Sequence, residues 1–167
     1  MRPRTPPVLR EAKPADADAI WEIFHAVVQP GTTYAYTPTT TRDQALAYWL
    51  HPPGGVTFVA EHRGEVMGTY LLKPVQPGLG DHVANAGFMV AAHARRQGLG
   101  RMMGHHALDE ARRRGYRAMQ FNFVVASNTG ALDLWLELGF TVVGTIPEAF
   151  RHQQHGLTDI HVLHRSL

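Results

Sequence analysis

The feature that most constrains this chain is an apolar strand that leads through a glycine turn directly into a helix. Residues 85–91 are expected to form the strand, and residues 98–114 the helix, which Gly115 closes. Gly98 and Gly100 let the backbone approach a ligand closely, and the first amides of a helix lack intrahelical partners at its positive dipole end. The segment therefore predicts a site for a phosphate-bearing ligand.

Positive charge is concentrated around this turn. Seven of the sixteen basic residues are arginines within residues 95–117, against two carboxylates there, although the formal net charge of the chain is only +2. A basic island on a near-neutral body favours an anionic ligand over a nucleic-acid surface, which usually spreads positive charge more widely. The arginines of residues 112–114 have a second interpretation, as favourable charges at a helix C-terminus.

Residue types that are scarce or absent exclude several chemistries. The chain has no cysteine, which excludes disulfide scaffolds, thiolate zinc sites, iron–sulfur clusters and a cysteine nucleophile. Its only serines, Ser127 and Ser166, do not lie in the Gly-x-Ser-x-Gly pattern of serine hydrolases. Eleven histidines invite a metal site, but His161 and His164 are three apart in a predicted strand and face opposite sides. We expect no metal.

The length of 167 residues is that of one domain, which we expect to span residues 1–167. No apolar run approaches the ~20 residues of a membrane-spanning helix, and the basic start lacks the apolar stretch of a signal peptide. We therefore expect a cytoplasmic protein with neither a membrane nor a nucleic acid as its partner.

Hydrophobic periodicity predicts an α/β fold, a mixed sheet of six to seven strands with about four helices. Strands should be parallel where a helix intervenes and antiparallel at the hairpins. The predicted strands are residues 8–11, 56–61, 66–75, 85–91, 118–126, 140–146 and 158–164, with a polar loop between the last two. The predicted helices are residues 15–28, 43–50, 98–114 and 128–138.

Two classes of phosphate-bearing ligand compete for the glycine turn. The spacing Gly98-x-Gly100-x-x-x-Gly104 is close to the dinucleotide fingerprint and lies in the right strand–turn–helix context. That fingerprint is usually followed about 20 positions later by an acidic residue, whereas residues 125–128, at the end of the next strand, contain none. A nicotinamide cofactor is therefore disfavoured, and coenzyme A is the second class.

Two motifs carry a resemblance to the GNAT acetyltransferases. Arg95-x-x-Gly98-x-Gly100 resembles the family's (Gln/Arg)-x-x-Gly-x-(Gly/Ala) motif. About thirty residues later, NTGALDLWLELGF at residues 128–140 resembles its Asn-x-x-Ala-x-x-x-Tyr-x-x-x-Gly-Phe segment. The order of strands and helices also matches over nearly the whole chain. The resemblance implies a GNAT-like sheet whose central parallel pair splays apart at the cofactor site.

The resemblance also implies how acetyl-CoA is bound, between the strands at residues 85–91 and 118–126. The pantetheine arm would be hydrogen-bonded by the backbone of Met89 and Val90 and contacted by Asn128. The pyrophosphate would lie on the turn made by Arg95, Arg96, Gln97, Gly98, Leu99, Gly100 and Arg101.

Trp135 departs from the family pattern. The resemblance places it on the cofactor side, where a tyrosine commonly protonates the leaving sulfur, but an indole N–H is no practical acid. A thiol pKa of about 8.5 makes the thiolate an acceptable leaving group unaided. Because the chain has no cysteine for an acyl-enzyme, we expect direct attack in a ternary complex. Packing in the core is the alternative role for Trp135.

Asn85 and Asn122 are polar residues inside two apolar strands. An unpaired buried amide costs about 1–3 kcal/mol, so each is expected to be paired or to face a ligand. Their surroundings also resemble the fungal N-acetyltransferases that act on proline analogues such as azetidine-2-carboxylate, in which asparagines at both strand positions hold the substrate. The resemblance implies that Asn85 and Asn122 are the catalytic pair that orients substrate. Structural bridging of backbone groups is the alternative.

Three more residues are candidate walls of the acceptor site. Tyr34 and Tyr36 lie in the loop between the first two helices, which often walls the acceptor site in this family. Glu148 lies in the predicted loop between the last two strands. Simple packing is the alternative for each of them.

The resemblance thus implies an acetyl-CoA-dependent N-acetyltransferase for a small-molecule amine, an amino or imino acid of the proline-analogue type. One alternative is a protein N-terminal or lysine acetyltransferase, which should show a wider and often acidic acceptor groove. Another is a non-catalytic CoA-binding sensor, which the tryptophan at position 135 would explain. A homodimer is compatible with the family, although periodicity identifies no interface.

Overall fold

The structure is a computed structural model that describes residues 5–167. Within these residues it has seven strands and four α-helices. The strands are β1 (Val8–Glu11), β2 (Val56–His62), β3 (Glu65–Pro74), β4 (Val83–Val90), β5 (Ala118–Val125), β6 (Thr141–His152) and β7 (Gly156–Ser166). The helices are α1 (Ala17–Val28), α2 (Arg42–Trp49), α3 (Leu99–Arg113) and α4 (Thr129–Glu137). No helix in this part of the chain is long and apolar enough to span a membrane.

All seven strands form one sheet in the order β1-β2-β3-β4-β5-β7-β6. Every neighbouring pair is antiparallel except β4 and β5, which are parallel and are connected through α3. A parallel pair needs such a crossover, because a short hairpin can only reverse the chain. The predicted mixed α/β sheet is confirmed.

The parallel pair is joined only at its beginning. Val83 lies opposite Ala118 and Ala84 opposite Met119, and no further residues of β4 and β5 are paired. Beyond these two pairs the strands separate, which confirms the predicted splay. The separation opens the middle of the sheet to a ligand.

Helices cover both faces of the sheet at β4. On one face lies Trp49 of α2, since a Cβ added to Gly87 would be 3.1 Å from its ring. On the other face Phe88 contacts Trp135 of α4, with ring centroids 4.8 Å apart. Because neighbouring residues of a strand point to opposite faces, α2 and α4 lie on opposite sides of β4. α1 packs beside α2, where the Phe24 and Trp49 centroids are 6.1 Å apart.

The first helix starts later than predicted. The helix predicted from residue 15 begins as a 3-10 turn at Pro14–Asp16, and α1 itself starts at Ala17. The Asp16 carboxylate accepts a hydrogen bond from the Lys13 amide at 2.7 Å and is bound by Arg10, which favours the turn over a continuous helix.

The last two strands are longer than predicted, and the polar loop expected between them is shortened to a turn at residues 153–155. The register of β6 against β7 shifts between Ile146 and Phe150, and pairing then resumes as far as His152 opposite Gly156. Pro147 cannot donate to the ladder, so the chain passes it as an irregular bulge instead of ending the strand. Glu148, which was expected in a loop, lies in this bulge with a φ of 52°.

His152 fixes the turn of the β6–β7 hairpin. Its Nδ1 accepts hydrogen bonds from the amides of Gln154 and His155, at 3.0 and 3.2 Å. The turn also reaches the loop between α1 and α2, because the Gln153 amide donates to the Gly31 carbonyl at 3.1 Å. Burial is the main cause that lowers the pKa of His152, and electrostatic repulsion from His155 is the second. A protonated Nδ1 cannot accept, so the turn requires a neutral ring.

We predict that this turn makes stability depend on pH. Because the pKa of His152 is lower in the folded state, the free energy of unfolding should be highest above the usual value of 6.5 and fall as the pH decreases toward the folded-state pKa. His152→Asn keeps an acceptor oxygen and should remove this part of the pH dependence. Urea unfolding of both proteins from about pH 8 to about pH 5 gives the free energy of unfolding at each pH. The same decrease with falling pH in both proteins would contradict the role of His152.

Candidate active site

A cavity of about 460 Å³ lies where β4 and β5 separate. It brings together six residues that the sequence placed in the cofactor and acceptor sites: Tyr34, Tyr36, Asn85, Asn122, Asn128 and Trp135. Trp49, Lys73 and Phe88 also line it and were not predicted. The cavity is thus open to both faces of the sheet, with α2 on one side and α4 on the other.

The backbone of β4 is hydrogen-bonded to β3 at every second residue. Ala91 donates to the Met67 carbonyl at 2.9 Å, and Val83 accepts from Val75 at 2.8 Å. Because hydrogen-bonded pairs alternate in an antiparallel ladder, the odd-numbered residues of β4 bond to β3 and the even-numbered ones face the gap.

Met89 therefore bonds to β3, opposite Thr69, and its side chain is only 1% exposed. The backbone groups that face the gap belong to Phe88 and Val90 instead. Val90 was predicted, whereas Phe88 was not. One known β3–β4 pair fixes the direction of every residue of β4, and the sequence alone does not give that pair.

The Tyr34 hydroxyl is hydrogen-bonded to both backbone groups of Phe88. It accepts a hydrogen bond from the Phe88 amide at 2.9 Å and donates one to the Phe88 carbonyl at 2.6 Å. Burial raises the pKa of Tyr34, so the phenol keeps its proton. Tyr34 thus satisfies groups that a neighbouring strand would otherwise pair. Tyr36 stacks on it with a centroid separation of 6.0 Å and extends the aromatic wall.

The two asparagines meet around Gln120 of β5. Asn85 Nδ2 donates to the Gln120 carbonyl at 2.9 Å, which bridges the gap just beyond the last β4–β5 pair. Asn122 Oδ1 accepts from Gln120 Nε2 at 2.7 Å, and its side chain is exposed. Asn85 is therefore partly structural, as the alternative had it, while its Oδ1 has no hydrogen-bond partner within residues 5–167.

The glycine turn has a left-handed backbone that presents amides to open space. Arg96 has a φ of 59° and Gly98 a φ of 78°. Left-handed residues in a turn before a helix help to form a concave nest of N–H groups. A Cβ added to Gly98 would meet nothing within 4 Å, and α3 starts at the next residue. Gln97 is tied back to the His93 carbonyl at 2.9 Å.

Gly104 serves helix packing. A Cβ on Gly104 would lie 2.6 Å from Leu138 Cδ1, whereas one on Gly100 would lie 3.5 Å from Leu134 Cδ2, an ordinary contact distance. Gly104 therefore lets α3 approach α4 closely, which accounts for the last glycine of the pattern that resembled a dinucleotide fingerprint. Arg101 continues this contact by forming an ion pair with Glu137 of α4.

Trp135 lies among aromatic rings beneath the gap. Its side chain is 8% exposed, and its ring centroid is 4.8 Å from that of Phe88 and 4.7 Å from that of Phe121. It both packs in the core and forms a wall of the cavity. Asn128 precedes α4, and its side chain makes no capping hydrogen bond there.

Glu148 lies outside the main cavity. It lines a neighbouring cavity of about 390 Å³ that shares Tyr34 and Tyr36 with the main one. Its amide donates to Asp159 Oδ1 at 2.9 Å, which holds the bulge of β6. The lining of the main cavity, in the part of the chain that the structure describes, contains no aspartate, glutamate or histidine. Residues 5–167 also hold no cluster of potential metal ligands.

The acetyltransferase (GNAT) family pattern matches residues 19–140. This chain belongs to the GNAT acetyltransferase family. N-acetyltransferase aca1 of Schizosaccharomyces pombe is 33% identical over 151 residues, which cover 81% of this chain and 72% of that protein.

Solved structures agree with this assignment. A GCN5-related N-acetyltransferase from Kribbella flavida has a TM-score of 0.92 and 48% identity, with 96% of this acetyltransferase and 98% of that chain covered. The putative acetyltransferase yncA from Salmonella typhimurium, solved with its cofactor acetyl-CoA, has a TM-score of 0.85 and 26% identity over 98% of this chain and 95% of that one. The acetyltransferase is thus an acetyl-CoA-dependent N-acetyltransferase of the GNAT type.

The geometry of the acetyltransferase fits acetyl-CoA. The Val90 amide and carbonyl face the gap, where a pantetheine arm with its own amides could pair with them. The left-handed turn at Arg96 and Gly98 leads into the unpaired first amides of α3, an arrangement suited to a pyrophosphate. When bound, acetyl-CoA supplies the acetyl group as a thioester. The contacts of Val90, Asn128 and residues 95–101 with it stay predictions.

Gly98→Asp is predicted to weaken acetyl-CoA binding at least about tenfold relative to Gly98→Asn, because it places a carboxylate where phosphate is expected. The two side chains are alike in size and must adopt the same φ of 78°, so the comparison isolates charge. Calorimetric titration with acetyl-CoA measures both affinities. Equal values for the two variants would contradict an anion site at this turn.

Tyr34→Phe is predicted to lower the free energy of unfolding by about 1–3 kcal/mol, because the Phe88 amide and carbonyl lose their partner. Tyr48→Phe is the matched control, since Tyr48 is 51% exposed and stacks on Tyr36. Chemical denaturation of the three proteins gives the comparison. A Tyr34→Phe protein as stable as the control would show that the hydroxyl does not stabilise β4.

Proposed function

We propose that this acetyltransferase acetylates the amine of a small amino or imino acid of the proline-analogue type. The observation that carries the proposal is the position of Asn85 and Asn122, whose amides lie at one end of a cavity between β4 and β5. The sequence around both asparagines resembles the fungal enzymes for proline analogues. The relative from Schizosaccharomyces pombe, named as an N-acetyltransferase, supports the transfer to nitrogen.

The size and lining of the cavity favour a small acceptor. Its volume of about 460 Å³ is at the lower end of the range of about 300–1,000 Å³ for small-molecule pockets. Tyr34, Tyr36 and Trp49 form apolar walls on the acceptor side. A peptide or lysine acceptor should find an acidic groove, whereas the described lining has no carboxylate.

The side chains of this enzyme position the reactants more than they transfer protons. Trp135 cannot serve as an acid, and the Tyr34 phenol is held by Phe88 with a raised pKa. The described lining offers no carboxylate or imidazole as a base. The acceptor amine must therefore lose its proton to solvent before it attacks the thioester carbonyl. We assign the rate enhancement to orientation of that amine by Asn85 and Asn122.

Asn122→Ala is predicted to lower kcat/KM for the acceptor at least about tenfold through loss of orientation, while acetyl-CoA affinity stays within about twofold. Because Asn122 is exposed, the variant should be as stable as the wild type. Asn85→Ala should lose stability as well, since Asn85 bridges to Gln120. Gln76→Ala, which removes an exposed amide outside the cavity, is the matched control.

The assay is release of the CoA thiol with azetidine-2-carboxylate, proline and other amino acids, beside polyamines and short peptides. The proposal expects release with small cyclic imino acids. Release with polyamines or peptides alone would contradict the proposed acceptor class. Full turnover by Asn122→Ala with an accepted amine would make Asn122 a structural residue.

A further inference from the structure

Lys73 is the one charged side chain among the residues that line the main cavity, in the part of the chain that the structure describes. It lies near the end of β3, partly buried, and is paired with Asn85 of β4. Cross-strand partners place their side chains on the same face of a sheet, so Lys73 and Asn85 share one side of the cavity. The cavity therefore combines amides with a single positive charge.

The Lys73 ammonium has no counter-ion within residues 5–167. None of the ion pairs formed there includes it. Asp81 lines an adjacent groove together with Lys73, but the two are not paired. An ammonium without a counter-ion beside a cavity attracts an anion.

The base of the Lys73 side chain is tightly packed. A Cβ added to Gly55 would lie 2.7 Å from the Lys73 Cβ, so the turn before β2 packs its bare backbone against the lysine stem. Asn85 lies on the other side, in register with Lys73 across the β3–β4 ladder. The stem is thus restrained at its root next to the asparagine that the proposed function uses to orient substrate.

We propose that Lys73 binds the carboxylate of the acceptor. This inference rests on the proposed function and adds that the site prefers an acceptor with a negative charge. The division of roles follows from chemistry. The ammonium recognises a negative charge, whereas the amides of Asn85 and Asn122 donate and accept hydrogen bonds without requiring one. Lys73 determines the class of acceptor, and the asparagines determine its orientation.

Lys73 also explains which amines are rejected. A polyamine or a lysine side chain would bring a second positive charge close to Lys73, and like charges repel. An amine with a carboxylate on the neighbouring carbon gains an ion pair instead. The preference for amino and imino acids would therefore depend on charge as well as on shape.

The test compares azetidine-2-carboxylate with azetidine-2-carboxamide, which differ in charge and little in shape. The wild type should prefer the acid. Lys73→Gln should lower kcat/KM for the acid at least about tenfold, chiefly through KM, and change the value for the amide by about twofold or less. Lys73→Arg should retain most of the preference for the acid. Lys13 is the only other lysine of the chain and is exposed, so Lys13→Gln is the matched control.

A binding measurement without turnover provides a second readout. Tetrahydrofuran-2-carboxylate has a ring oxygen in place of the nucleophilic nitrogen, so it can occupy the site without reacting. Calorimetric titration in the presence of acetyl-CoA should detect it with the wild type and with Lys13→Gln, and lose it with Lys73→Gln. Its carboxamide should bind the three proteins alike. Equal binding of the carboxylate to all of them would overturn the assignment.

The outcomes separate this inference from the proposed function. Equal losses for acid and amide in Lys73→Gln would make Lys73 a structural residue. Acetylation of anionic amines other than amino or imino acids, with the same dependence on Lys73, would support Lys73 as the binder of the acceptor's negative charge. It would overturn only the proposed acceptor class. Acetylation of polyamines or peptides alone, unchanged in Lys73→Gln, would overturn both.

Discussion

The separation of β4 from β5 after two residue pairs is the constraint on which the rest of the structure depends. A strand in the middle of a sheet normally pairs on both sides, and unpaired backbone groups away from water are costly. Here the even-numbered residues of β4 beyond Ala84 lack a neighbouring strand on one side, and side chains close by make up for part of that loss. Tyr34 satisfies Phe88, Asn85 reaches the Gln120 carbonyl, and Val90 is left facing the gap.

The two faces of the sheet then acquire different chemistry. On the α3–α4 side lies the basic turn at residues 95–101, with the aromatic floor of Phe88, Phe121 and Trp135 behind it. On the α1–α2 side lie tyrosines, asparagines and Lys73, without a carboxylate in the described lining. The phosphate-bearing cosubstrate and the acceptor can therefore approach the same gap from opposite faces without competing for the same side chains.

The sequence predicted the parts of this arrangement that depend on local pattern. The order of strands and helices follows from periodicity, and the strand–turn–helix at Gly98 follows from helix-end chemistry. The convergence of Asn85 with Asn122 was implied by the resemblance to the fungal enzymes for proline analogues. Both asparagines are polar residues in apolar strands, a signal that is visible without a structure. The motif around Asn128 was likewise sufficient to place α4 beside the gap.

The parts that were missed depend on register and on irregular backbone. Whether Met89 or Phe88 faces the gap is decided by which β4 residues bond to β3, and one hairpin register settles it. Glu148 was assigned to a loop because Pro147 is expected to interrupt a strand, whereas a bulge carries β6 past it. Lys73 gave no signal because a lysine near a strand end is ordinarily solvated, and only the folded cavity shows that it lies without a counter-ion.

Amide hydrogen exchange of Val90 and Met89, measured by NMR with and without saturating acetyl-CoA, tests most directly that the gap in the sheet is the cosubstrate slot. The account predicts that the Val90 amide exchanges rapidly in the free protein and is protected by acetyl-CoA. The Met89 amide, already bonded to β3, should be slow in both states. Protection of neither amide by bound acetyl-CoA, or a new protection at Met89 without one at Val90, would contradict the account.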